Sequence, residues 1–489
     1  MDKPGFLHGV FVAIYLLALV GVGAWKARKV RSQEDFSLAG RGLSTFVLVG
    51  TLLATWIGTG SIFSNAEESY RIGVSAFVLP ISGAVGIVVL FLLASRIRSM
   101  EHYTIQDILE QRFGVGARLV GTLTLLCAYV IIVSYQYRAG AAVLSYLFPA
   151  LPVVWATVAV AGFVVVYTAL AGMISVAYTD VANGILMAIG IAIALPVLVS
   201  DAGGLEGIQS ALGPERTSYA AEYGPIKLLS ILLPTLFLIL GDANMYQRFF
   251  SAKDAATAKR STIGMFFGVI VMECAIIATA IVGAALVAQG KLEAPENPAH
   301  IIVAIAFQSL PPFLGAMLVA TVVAVVVSTA DSYLLAPSTS LVRDVYQRFV
   351  SPNASDSKVV FIGRLTVVLL GVLALFLAFQ SKEFFSVALF AYTVYGASIT
   401  PALLAALFWP RATKAAAVAS MVTGLVSSIA WRNLIEKGAL SSWFEERGNT
   451  QAVEFLRDLN ELGLDAILPS VTLSIVVLAL VTLVSGRKS

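Results

Sequence analysis

Thirteen runs of mostly apolar residues recur along this chain. They lie at 6–25, 43–63, 74–93, 119–137, 153–170, 177–199, 228–246, 263–288, 313–335, 360–379, 384–409, 415–431 and 467–484. Each approaches the roughly 20 residues that a helix needs to cross a bilayer. Inside hydrocarbon every backbone N–H and C=O must be satisfied within the segment, so such runs are read as helices. The expected fold class is therefore all-α, a polytopic membrane protein of about 13 transmembrane helices. Composition supports this. Of 489 residues, 58% are hydrophobic and only 12% are Asp, Glu, Lys or Arg, against roughly 25% charged in soluble domains. The formal net charge of +3 is too small to grip phosphates, so the bilayer is the expected partner and nucleic acid is not. Cys127 and Cys274 both sit in apolar runs and imply no disulfide framework. The first run is not read as a cleavable signal, because its basic cluster follows it instead of preceding it.

Loop charges set an orientation, since Lys and Arg stay on the cytoplasmic side. The first loop carries Lys26, Arg28, Lys29, Arg31 and Arg41, and the third Arg96, Arg98, Arg112 and Arg118. The seventh carries Arg248, Lys253, Lys259 and Arg260, and the ninth Arg343, Arg348, Lys358 and Arg364. Arg411 and Lys414 lie in the eleventh, and Arg487 and Lys488 in the tail. The even loops are poorer in cations or acidic, as at Glu67 and Glu68. This places the chain in the cell membrane with its N-terminus outside and its C-terminus in the cytoplasm. The longest non-apolar stretches, near 200–224 and 432–465, fall on the outer face. Residues 104–113 read as a short amphipathic helix on the inner surface. The whole chain, 1–489, is expected to be one transmembrane domain working as a monomer. No phosphate loop, HExxH or dinucleotide fingerprint occurs, so neither an enzyme nor an ATP-driven pump is expected. A secondary transporter or a channel remains.

Secondary transporters bind their solute at midmembrane, where paired helices are interrupted. The second run is interrupted at Ala54-Thr55-Trp56-Ile57-Gly58-Thr59-Gly60-Ser61 and the seventh at Leu240-Gly241-Asp242-Ala243-Asn244-Met245-Tyr246. Five spans separate the two, so the second copy is upside down relative to the first, as a five-plus-five inverted repeat requires. Glycine alone is common in membrane helices and often only permits close packing. At Gly58 and Gly60 the crowding of Trp56, Thr59 and Ser61 favours a real break.

Ionisable residues inside a membrane are costly and usually mark ion or solute paths. Four are expected there: Asp180, Asp242, Glu273 and Asp331. Asp180 also suits a helix N-cap, and Glu273 receives no role. Ser328, Asp331 and Ser332 lie at i, i+3 and i+4, on one helix face, with Thr329 beside them. Hydroxyls, a carboxylate and unwound carbonyls form an all-oxygen environment that suits a hard cation such as sodium. The bland alternative is back-bonding of those hydroxyls to their own helix. His8, His102 and His300 are too scattered for a transition-metal site.

At these residues the sequence resembles the solute:sodium symporter family, over essentially its whole length. The resemblance rests on the 54–60 run, on Gly172 with Thr179-Asp180, and on Tyr246-Gln247-Arg248-Phe249. It rests further on Ser328-Thr329-Ala330-Asp331-Ser332, Arg343-Asp344-Val345-Tyr346, Ala391-Tyr392 and 396–402. It implies a leucine-transporter-like inverted repeat, with copies at 43–200 and 225–410 and peripheral helices in 1–42 and 411–489. It implies Na+ held by the carbonyls of Ala54, Ile57 and Val325 and the hydroxyls of Ser328 and Thr329, with Asp180 in support. The positions of a second sodium read Asp331 and Ser332; the carboxylate there would strengthen a cation site, take a proton or form a salt bridge. Solute contacts carried over by position are Trp56, Gly58, Ser61, Asp242 and Asn244. Trp56 offers a ring face and an indole donor, and Asp242 suits a cationic or hydroxyl-rich solute. Tyr137 and Arg138 could meet a carboxylate, Arg138 equally serving as an interface anchor.

The expected function is sodium-coupled symport of a small organic solute into the cell by alternating access, the solute being amino acid, sugar, carboxylate or nucleobase-like. The rivals are a proton-coupled symporter, a membrane solute sensor and a channel. The short tail, 485–489, argues against an attached signalling domain.

Overall fold

The computed structural model describes residues 4–27, 30, 32–218, 223–380 and 384–485. Twelve helices among them are long and apolar enough to cross a membrane, and a bent pair makes thirteen. In order they are Phe6–Trp25, the pair Thr45–Trp56 with Gly60–Val78 bent by 50°, Pro80–Ser99, Val115–Leu147, Val153–Leu170 and Gly172–Asp201. Then follow Pro225–Ser251, Ala255–Ala288, Pro312–Val350, Asp356–Ala378, Phe385–Phe408, Lys414–Glu436 and Ile467–Ser485. They are named below as the first to thirteenth spans. All thirteen expected runs thus become spans, and the chain is a multi-pass membrane protein.

Local chemistry sets several boundaries. Gly172 separates the fifth and sixth spans at φ 65°, ψ 174°, a conformation open essentially to glycine. The sixth span therefore starts at Gly172, earlier than 177. Asp180 lies inside the helix, which removes the N-cap alternative. The seventh span breaks at Asp242, whose side chain accepts from the N–H groups of Asn244 and Met245 and so restarts the helix. That helix runs on to Ser251. Arg248, expected in a basic loop, is instead a buried residue of the membrane span, 1% exposed.

Other departures concern the connections. The ninth span continues through Val350, so Arg343 and Arg348 extend a helix and do not lie in a loop. Between the eighth and ninth spans a short helix, Ile301–Gln308, packs inward with six buried residues. Helices Gly204–Thr217, Ala439–Glu445 and Thr450–Glu461 fill the two long non-apolar stretches. The amphipathic 104–113 segment forms the helix Ile105–Phe113, opened by a capping box between Thr104 and Asp107.

The odd-numbered connections gather at one end of the bundle. Leu43, just ahead of the second span, pairs with Ala252, just after the seventh. Leu43 N–H donates to Ser251 O at 3.1 Å and Lys253 N–H to Leu43 O at 3.1 Å. Arg98 Nε donates to Ala252 O at 2.6 Å. Arg118 pairs with Asp107, with Glu110 at 2.6 Å and with Asp344 at 3.4 Å, and Arg348 with Glu110 at 2.9 Å. Even-numbered connections meet at the other end, where Tyr223 donates to Glu68 and Lys227 pairs with Asp465 at 2.8 Å. Arg28, Lys29, Arg31, Arg487 and Lys488, part of the loop-charge argument, lie outside the described residues.

Candidate functional site

The second span supplies the first half of the site. Its backbone ladder ends with Ile57 N–H to Leu53 O at 2.8 Å and resumes with Ile62 N–H to Gly58 O at 3.1 Å. The carbonyls of Ala54 to Ile57 fall in that gap. The ninth span packs against it. Ser328 Oγ lies 3.4 Å from Ala54 O and 3.2 Å from Val325 O. Thr329 Oγ1 is buried without a hydrogen-bond partner. A Cβ on Gly58 would stand 2.9 Å from that oxygen, so glycine is what lets the two spans approach. The structure therefore gathers Ala54, Val325, Ser328 and Thr329 around the break, with Ile57 in the same gap beside Gly58. These are neutral oxygens in a water-poor setting, and an orphaned buried hydroxyl is costly unless something else coordinates it.

One turn further along, a charged network ties four spans together. Thr51 Oγ1 donates to Asp180 Oδ2 at 2.5 Å. Arg248 Nη2 sits 3.2 Å from the same carboxylate oxygen and 2.7 Å from Ser332 Oγ. Arg248 Nε donates to Thr51 Oγ1 at 2.9 Å and to Thr51 O at 3.2 Å. Ser332 Oγ in turn donates to Asp331 Oδ1 at 3.2 Å. Asp180 Oδ1 has no partner. The positions Asp180, Asp331 and Ser332 are thus together, with a guanidinium between the first and the last.

The seventh-span break is chemically closed. Asp242 accepts from Tyr129 Oη at 3.0 Å and Tyr333 Oη at 3.2 Å, and from the N–H groups of Asn244 at 2.7 Å and Met245 at 3.2 Å. The carbonyls freed before it are also taken, Gly241 O by Tyr395 Oη at 2.7 Å and Leu240 O by Tyr246 Oη at 3.1 Å. Asn244 keeps both side-chain polar atoms buried and unpartnered.

A cleft of about 690 Å³ of unfilled space, part of it open to solvent, lies beside the second-span break. Of the expected solute residues, Trp56 and Ser61 line it; Gly58, Asp242 and Asn244 do not. Gly83 leaves room for the Trp56 ring, whose Cζ2 would lie 2.8 Å from a Cβ there. The remaining wall comes from the third, seventh, eighth, ninth and eleventh spans, through Pro80, Ile231, Glu273, Tyr333 and Phe385 among others. Arg138 does not line it and instead stacks over the Phe384 ring at 4.8 Å.

Sequence reasoning misplaces Arg248 and leaves Glu273 without a specific role. Arg248 was counted as a loop cation, although the apolar and aromatic residues around it, Met245, Tyr246, Phe249 and Phe250, signal a buried helix. Glu273 received no role, yet it lines the cleft and accepts from Ser61 Oγ at 2.6 Å and Asn65 Nδ2 at 2.9 Å. No group of three or more His, Cys, Asp and Glu arranged to hold a metal occurs among the described residues.

Comparison with known proteins adds an independent line. The family described as the sodium:solute symporter family matches residues 36–424. A high-affinity proline transporter of Bacillus subtilis is 27% identical over 437 residues, 85% of this chain and 90% of its own. A high-affinity choline transporter of Caenorhabditis elegans is 27% identical over 468 residues, 87% of this chain and 77% of its own. Among solved structures, a Na+-coupled sialic acid symporter in a substrate-bound outward-open state superposes with a TM-score of 0.81 at 17% identity. That match covers 98% of both chains and shows a shared fold.

Proposed function

Because the chain belongs to the sodium:solute symporter family, a family of transporters and not of enzymes, we propose that it couples sodium entry to uptake of a small organic solute through the site just described. Sodium is held by the carbonyls of Ala54, Ile57 and Val325 and the hydroxyls of Ser328 and Thr329. The observation that carries this is the cluster of buried oxygens at an interrupted helix, one of them, Thr329 Oγ1, without a partner. Five neutral oxygens match the preference of a hard cation. Asp180 supports the site through Thr51. Asp331 and Ser332 do not hold a second sodium in this reading, because the Arg248 guanidinium already bonds Ser332 and Asp180. One sodium per cycle follows.

The solute sits in the cleft against Trp56 and Ser61. Gly58 acts by admitting Thr329, while Asp242 and Asn244 hold the seventh-span break. The two copies of the repeat occupy 43–200 and 225–410, and 1–42 and 411–489 are peripheral. The basic odd loops face the cytoplasm, with the N-terminus outside and the C-terminus inside, so the cleft opens outward. Sodium bound at the second and ninth spans shapes that cleft; solute follows, and the site then opens inward. The membrane potential contributes about 2.3 kcal/mol per charge per 100 mV. The relatives' names, proline and choline transporters, point to a small nitrogenous solute.

In proteoliposomes, uptake is expected to require an inward sodium gradient and to carry current. Uptake that survives replacement of sodium by potassium and follows a pH gradient would instead establish proton coupling. For orientation, in a background lacking Cys127 and Cys274, Glu446→Cys is expected to react with a membrane-impermeant maleimide in intact cells. Ser99→Cys is expected to react only after permeabilisation. The reverse pattern inverts the topology.

A further inference from the structure

The solute class can be read from one carboxylate. Glu273 lies in the eighth span and is 3% exposed. Its two oxygens take one hydrogen bond each, from Ser61 and Asn65, both neutral donors. No described Lys, Arg or His forms an ion pair with it. Other carboxylates buried in the spans differ in partner or place. Asp180 has Arg248, Asp344 has Arg118, and Asp242 caps a helix with four donors. Asp331 has no ion pair and accepts only from Ser332, but it does not line the cleft. A carboxylate accepts about four hydrogen bonds, so each Glu273 oxygen keeps a free lone pair at the cleft.

The surroundings complete the case. No Lys, Arg or His lines the cleft, and the Glu273 carboxyl is the one Asp or Glu side chain among its described lining residues. Ser64 Oγ lines the same space, buried and without a partner, a second polar group left for a ligand. The aromatic residues Trp56, Tyr333, Phe385 and Tyr392 complete much of the wall, and ring faces attract cations. A buried charge lacking a counter-ion is expensive, and a positively charged ligand relieves that expense when it binds.

Resting on the symport reading above, we propose that Glu273 is the recognition group for a solute bearing a protonated amine, whose N–H donates to the carboxylate while its apolar part lies on the aromatic wall. Purely anionic solutes are excluded by the same carboxylate, and uncharged ones leave it unpaired. The amine can belong to a cation or to a zwitterionic amino acid.

The test is thermal stabilisation of the full chain in nanodiscs, in sodium and again with potassium in its place. Matched probes are L-proline against tetrahydrofuran-2-carboxylate, putrescine against 1,4-butanediol, and L-alanine against lactate. At least one amine-bearing member is expected to raise the midpoint while its partner does not. Glu273→Gln, which preserves shape, is expected to weaken that ligand by roughly thirtyfold or more while sodium alone still stabilises the variant as it does the native protein. Stabilisation by the amine-free partners alone, by none of the amines, or equally in Glu273→Gln overturns the assignment. Amine binding that needs Glu273 but shows no sodium dependence would count against the symport reading and leave this one standing.

Discussion

Replacing Arg248 by methionine is expected to cost about 3–5 kcal/mol of stability, the range for removing one partner of a buried ion pair, and to abolish uptake. The side chain lies almost wholly in the protein interior and bonds Asp180, Ser332, Thr51 and Asn244 at once. Methionine fills comparable volume but leaves the Asp180 carboxylate buried without its cation. Combining Arg248→Met with Asp180→Asn should recover part of the loss, because the uncompensated charge is then gone. Thermal unfolding of the purified variants measures both. A single variant as stable as the native protein would mean that the network is solvated and contributes little.

The second large effect concerns sodium. Ser328→Ala and Thr329→Val should each raise the sodium concentration for half-maximal uptake about tenfold to a hundredfold. That factor corresponds to the ~1.5–3 kcal/mol of a hydrogen-bond-strength contact to a charge. At saturating sodium, solute affinity should change little, since neither residue lines the cleft. Measuring sodium activation at fixed solute, and solute saturation at high sodium, separates the two. A change confined to solute affinity would move the sodium site elsewhere. Ser328 and Thr329 should act less than additively, because both would face one ion.

The spans were legible because bilayer thickness dictates run length, a constraint written in hydropathy alone. The second-span break was legible too, as Gly58 and Gly60 share one turn with Trp56, Thr59 and Ser61. Arg248 was not. Its neighbourhood is set by the Asp242 cap, which restarts the seventh span and carries the cation back into the membrane; charge counting cannot detect such a restart. The helix Ile301–Gln308 escaped because it packs inward without crossing and is too short for a span. Glu273 was visible as a lone carboxylate in an apolar run, but its lack of a cation partner is a tertiary fact. Asp242 illustrates the converse. Its type suited a ligand contact, while the two tyrosines that saturate it, Tyr129 and Tyr333, come from the fourth and ninth spans.

The bridge between Leu43 and Ala252 has a mechanical consequence. It stitches the start of one interrupted span to the finish of the other by two backbone hydrogen bonds, each worth about 0.5–1.5 kcal/mol net. The two spans therefore behave as tongs riveted at one end. They can splay at the far tips, beside the cleft, without disturbing the rivet. Opening at the riveted end is then expected to fall to neighbouring helices, with the pair moving as two arms on a shared hinge.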